Sequence, residues 1–128
     1  MKKRKILIVD DEENLLELLK INLEHTGKYE VQTLQDGRDI LSQVKSFNPD
    51  LMLVDILMPK IDGVELCRIL NADPVANRIP IITLSALDTD KDKLMMYKLG
   101  VVDFLVKPIE SDALIAGIEK ALRNKDLA

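Results

Sequence analysis

Leu51-Met52-Leu53-Val54-Asp55 is a run of apolar residues closed by an acid. It is too short for a helix and too continuous for a strand with one wet face, so it reads as a strand buried on both sides. The same pattern recurs on either side of it. Lys5-Ile6-Leu7-Ile8-Val9 ends in Asp10-Asp11, Ile79 to Leu84 ends in Ser85, and Val102 to Val106 ends in Lys107. A weaker, alternating run from Tyr29 to Leu34 reads as a strand at or near an edge. Between the runs lie stretches of helical periodicity, clearest in Leu15, Leu16, Leu19, Leu23 and in Leu114, Ile115, Ile118, Leu122. Further helices are expected over about Asp36 to Ser46, Ile61 to Asn71 and Asp88 to Leu99, punctuated by Thr26-Gly27, Asn48-Pro49, Asp73-Pro74 and Gly100. Strand and helix alternate throughout. Continuous apolar strands in that order imply an α/β fold, a parallel sheet covered by helices on both faces.

The 128 residues and 47% apolar content suit one domain, expected to span 1–128 with a frayed end or the start of a linker at 124–128. Aromatics make up 3% and Trp is absent, which argues against base- or sugar-stacking surfaces. A formal charge of -4 argues against long-range attraction to nucleic acid or anionic lipid. The basic cluster Lys2, Lys3, Arg4, Lys5 reads as a solvated lead into the first strand. Neither a secretion signal nor a membrane span is visible, and one cysteine cannot form an internal disulfide, so the expected compartment is the cytoplasm. Cys67 falls on the helical side of Leu66 and Leu70, as a buried small hydrophobe.

The chemistry stands at the strand ends. In a parallel sheet Asp10, Asp11, Asp55, Ser85 and Lys107 share the carboxyl edge, where open α/β sheets bind ligands. Three crowded carboxylates raise one another's proton affinity unless a cation sits among them. Oxygen-only ligands without His or Cys fit Mg²⁺, which is readily shared with a phosphate, and Lys107 offers a second positive contact. The competing explanation, that Asp10 and Asp11 merely cap a helix, accounts for one acid better than two. His25 reads as a surface residue at a helix C-terminus. Met95, Met96 and Tyr97 read as part core, part partner surface.

These residues resemble the receiver domain of two-component response regulators over nearly the whole chain. The resemblance is carried by Val9-Asp10-Asp11-Glu12, by Leu53-Val54-Asp55-Ile56-Leu57-Met58-Pro59 with Asp62-Gly63, by Leu84-Ser85-Ala86, and by Leu99-Gly100 through Val106-Lys107-Pro108. It implies a flavodoxin-like, doubly wound five-stranded sheet of order 2-1-3-4-5. It also implies Asp55 as phosphoacceptor, with Mg²⁺ held by Asp10, Asp11, Asp55 and the backbone carbonyl of Leu57. Ser85 and Lys107 would contact the phosphoryl group, the Lys107-Pro108 bond would be cis, and Phe104 and Ser85 would switch position. The implied partners are a sensor histidine kinase or histidine phosphotransfer protein, and an effector reached through the face formed by 88–100 and 102–122, with a homodimer on phosphorylation. Direct nucleic-acid or membrane contact is not expected, and the domain is expected to be a switch and no enzyme in its own right. Ser85 for the commoner Thr, Phe104 for Tyr and Val101 for Ala are small departures. The segment Asn71-Ala72-Asp73-Pro74 resembles receivers attached to cyclic-dinucleotide enzymes. Leu57 and Leu87, two positions beyond Asp55 and Ser85, would exclude the hydrolytic water and lengthen the life of the phosphoryl group.

Other functions fit less well. A haloacid-dehalogenase-type hydrolase needs a second acid where Leu57 stands, and a flavin domain would find its phosphate repelled by Asp10-Asp11-Glu12-Glu13.

Overall fold

The computed structural model describes residues 2–56, 62–85 and 90–127, the side chains of 90–92 excepted. Five strands, β1 (Arg4–Val9), β2 (Tyr29–Leu34), β3 (Leu51–Asp55), β4 (Ile81–Ser85) and β5 (Val101–Val106), form one parallel sheet of order β2-β1-β3-β4-β5. The helices are α1 (Glu13–His25), α2 (Ile40–Phe47), α3 (Gly63–Ala72), α4 (Asp90–Lys98) and α5 (Ser111–Leu127), and a single 3₁₀ turn spans Ala76–Arg78.

Side chains alternate across a strand, so each central strand feeds two cores. Leu7, Val9, Met52, Val54 and Ile81 pack under α2, α3 and α4 against Ile40, Val44, Leu66, Leu70 and Met96. Ile6, Ile8, Leu51, Leu53, Ile82 and Leu84 pack under α1 and α5 against Leu16, Leu19, Leu23, Leu114 and Ile118. Cys67 is fully buried in the first core, and burial pushes its thiol up to about 12, as expected of an inert apolar side chain.

Several expectations change. Helix α2 begins at Ile40, not near Asp36, because Asp36 turns on itself: its carboxylate accepts the Arg38 N–H at 3.1 Å and pairs with the Arg38 guanidinium. Ile79 and Pro80 precede β4, since the 3₁₀ turn ends beside them. Strand β5 is not buried on both faces: it is the sheet's second edge, with Val102 and Val106 exposed. The segment 124–128, expected as a frayed end or the start of a linker, is helical as far as Leu127. There Arg4 pairs with Asp126 at 3.0 Å, and Lys125 lies 3.7 Å from Asp50. The Asp88 and Thr89 start expected for α4 and the Ile61 start expected for α3 lie outside the described residues.

Turns fall where the sequence marks them. Gly27 and Gly100 take positive φ of 77° and 90°, and Asn48 closes α2 at φ 55° in the left-handed region that Asn tolerates. Met96 is buried whereas Met95 and Tyr97 are exposed, so the α4 cluster divides between core and surface as expected. His25 is exposed at the last turn of α1.

Candidate phosphoryl and metal site

Strand register builds the site. Val9 pairs with Val54, Asp55 with Leu84, and Ser85 with Val106, so the residues at or just beyond these ends line one edge. Backbone bonds continue past the last pairs: Asp10 N–H donates to the Leu34 carbonyl at 3.1 Å, Ile56 N–H to Leu84 at 3.1 Å, and Lys107 N–H to Ser85 at 2.8 Å. The peptide bond between Lys107 and Pro108 is cis.

Asp10, Asp55 and Ser85 are buried polar residues. One carboxylate oxygen from each of Asp10, Asp11 and Asp55 falls within 4.8 Å of the others. Into this acidic group reaches Lys107, its Nζ 3.0 Å from Asp10 Oδ2, 3.4 Å from Asp55 Oδ2 and 3.3 Å from Glu12 Oε1. Asp10 Oδ1 accepts the Glu12 N–H at 2.9 Å, whereas the buried Oδ2 accepts no hydrogen bond among the described residues, only the nearby charge of Lys107. Burial raises the proton affinity of Asp10, an effect tempered by the Glu12 amide and by Lys107. Burial alone would make Lys107 easier to deprotonate. The charge of Asp10, then that of Asp55 and the hydrogen bond to Glu12, outweigh it, and Lys107 is held protonated above its ordinary range.

The acid pocket fits a hard divalent cation. All available donors are carboxylate oxygens, they converge, and one of them is buried without a hydrogen bond. The capping explanation for Asp10 fails in its simple form, because Glu12 occupies the N-cap of α1. Leu57 and Leu87, expected beside the acceptor, lie outside the described residues. Phe104 is half-buried against the α2–α4 core and meets Tyr97 edge to face, centroids 5.0 Å apart and planes at 87°. Sequence reasoning missed the contact of Glu12 with Lys107. The only signal was a third consecutive acid after Val9, and spacing does not say that its side chain reaches the end of β5.

Residues 6–119 match the family model described as the response regulator receiver domain. The chain belongs to that family. Receiver domains work in two-component signalling, and transfer of a phosphoryl group to an aspartate with Mg²⁺ bound is general to them. This receiver is 38% identical over 125 residues to the alkaline phosphatase synthesis transcriptional regulatory protein PhoP of Bacillus subtilis (strain 168), covering 98% of this chain and 51% of that one. The chain spans about half the length of the curated relatives it matches. Among solved structures, it is similar to the signal receiver domain of a signal transduction histidine kinase from Syntrophus aciditrophicus. That match has a TM-score of 0.83 and 35% identity, covering 94% of this chain and 91% of that one. It is also similar to the receiver domain of a modulated diguanylate cyclase from Desulfovibrio desulfuricans G20, with a TM-score of 0.83 and 30% identity, covering 98% of each. Receivers of one fold thus serve proteins of different output. Among the described residues no helix is long and apolar enough to cross a membrane.

Proposed function

We propose that this receiver is a phosphorylation switch whose acceptor is Asp55. The supporting observation is the placement of the Asp55 carboxylate, buried at the end of β3 with Lys107 3.4 Å away and Asp10 and Asp11 converging on it. A carboxylate oxygen of Asp55 bonds to phosphorus as the bond from phosphorus to the donor breaks. An acyl phosphate donor leaves as its carboxylate, and a phosphohistidine leaves as imidazole, which takes up a proton. Asp10, Asp11, Asp55 and the Leu57 carbonyl would hold Mg²⁺, which when bound offsets the charge of the arriving phosphoryl group. Lys107 pairs with the phosphoryl oxygens, and the Ser85 hydroxyl, at the end of β4 beside Lys107, donates to another. As Ser85 moves inward, Phe104 turns into the space released and the face made by α4, β5 and α5 changes, a population shift biased by one ligand.

A sensor histidine kinase or phosphotransfer protein supplies the phosphoryl group in this reading. An effector, or a second copy of the chain, reads the changed face. The receiver acts as a cytoplasmic switch and not as a turnover enzyme. Purified protein with acetyl phosphate and Mg²⁺ should gain the mass of one phosphoryl group, and Asp55→Asn should gain none. Equal incorporation in that variant would refute Asp55 as acceptor.

A further inference from the structure

Glu12 opens α1 at the position where Ser, Thr, Asp or Asn commonly caps a helix, yet its side chain makes no capping bond. Its backbone is fixed on both sides: the N–H donates to Asp10 Oδ1 at 2.9 Å, and the carbonyl accepts from Leu16 at 3.0 Å. The carboxylate instead crosses to the end of β5 and accepts from Lys107 Nζ at 3.3 Å. Lys107 therefore faces three carboxylates, and they differ in kind. The Asp10 and Asp55 side chains are 0% and 3% exposed, whereas that of Glu12 is 60% exposed.

We propose that Glu12 is a positioning residue that tethers Lys107 on the solvent side of the acid pocket in the unphosphorylated protein and releases it when a phosphoryl group reaches Asp55. The proposal rests on the reading of Asp55 as acceptor. An ammonium has three N–H donors, and three carboxylates already face them. Phosphorylation turns the Asp55 carboxylate into an uncharged acyl group and frees one donor, but the phosphoryl group brings several anionic oxygens, and a second Lys107 donor reaches them only if another carboxylate gives way. Glu12 is the one that water can satisfy in place of Lys107, since the buried Oδ2 of Asp10 has no other partner among the described residues. Until released, the tether occupies one Lys107 donor, and the Glu12 charge stands beside a pocket that anionic donors must enter. Both effects slow phosphorylation.

The test follows phosphorylation by acetyl phosphate with saturating Mg²⁺, by intact mass, in wild type, Glu12→Gln and Glu12→Asp. Glutamine removes both charge and tether. Aspartate keeps the charge but is one methylene too short to hold Lys107. Both variants should react faster, glutamine by about two- to fivefold, the range of an exposed ion pair, and aspartate by at least half that gain. The Lys107 side-chain Cε and Hε resonances should shift in both variants while their melting temperatures stay at the wild-type value. Aspartate matching wild type would reduce Glu12 to a charge alone and overturn the tether, as would unchanged rates in both variants. Failure of the acceptor assignment shows separately, as labelling that persists in Asp55→Asn or is absent from wild type.

Discussion

Gly63 lies so close to the end of β3 that a Cβ added to it would stand 2.3 Å from the Asp55 carbonyl oxygen and 2.4 Å from the Ile56 Cα. The Gly63 N–H also donates to the Ile56 carbonyl at 3.0 Å, tying the start of α3 to the chain that leaves Asp55. Both obstructing groups are backbone, which cannot rotate aside. In an unobstructed helix Gly→Ala gains about 0.5–1 kcal/mol. Here the sign should reverse, with Gly63→Ala losing about 2–3 kcal/mol in urea unfolding, the cost of overpacking. A neutral or stabilised variant would contradict the close approach.

Tyr97 and Phe104 meet edge to face across the gap between α4 and β5. Such pairs couple by about 0.5–1.5 kcal/mol beyond area burial, and the exposure of Tyr97 places this one at the lower end. A double-mutant cycle of Tyr97→Leu and Phe104→Leu in urea should return a favourable coupling of about 0.5 kcal/mol. A coupling indistinguishable from zero would show that Tyr97 does not restrain the Phe104 ring.

The sheet and its site were legible in the sequence because each relies on one-dimensional signals. Continuous runs such as Leu51 to Val54 mark strands buried on two sides, and in a parallel sheet the residues after them, Asp10, Asp55, Ser85 and Lys107, meet without any knowledge of side-chain direction. What the pattern could not carry was set by contacts between residues distant in the chain. Val102 to Val106 has the composition of a central strand yet forms an edge, since strand order is a property of the whole sheet. Asp36 stops α2 from starting early through a side-chain bond to Arg38 that competes with helix formation. Glu12 reaches Lys107 across 95 positions of sequence.

Asp10 should make stability depend on pH in a definite direction. Its folded-state proton affinity is raised, by burial first, so the folded protein holds that proton more tightly than the unfolded chain. Stability therefore falls as pH rises through the ordinary Asp value of 3.8 toward the raised one, and the loss is complete above it. Asn at this position resembles the protonated acid and leaves Lys107 paired with Asp55 and Glu12. In EDTA, Asp10→Asn should melt with wild type below about pH 3.8 and above it at neutral pH. Mg²⁺ should narrow the gap by stabilising only wild type. Equal melting temperatures at pH 7 in EDTA would remove the buried charge as a source of instability.

Thr83 carries a cost of another kind. It is fully buried on β4, on the face it shares with Ile81, and its hydroxyl has no hydrogen-bond partner among the described residues. Its register partner on β5 is Phe104, so no hydroxyl stands opposite to accept or donate. A buried polar group left unpaired costs about 1–3 kcal/mol, whereas Val has nearly the same shape and no such group. Thr83→Val should therefore stabilise the fold by about 1 kcal/mol. Thr83→Ser keeps the hydroxyl and removes a buried methyl, so it should lose about 1 kcal/mol to the void left behind. Urea midpoints at constant slope should rank Val above Thr above Ser. If Ser equalled or exceeded Val, the hydroxyl would have to be satisfied by a buried water, and the β4 core would be wetter than its lining of Ile, Met and Phe side chains implies.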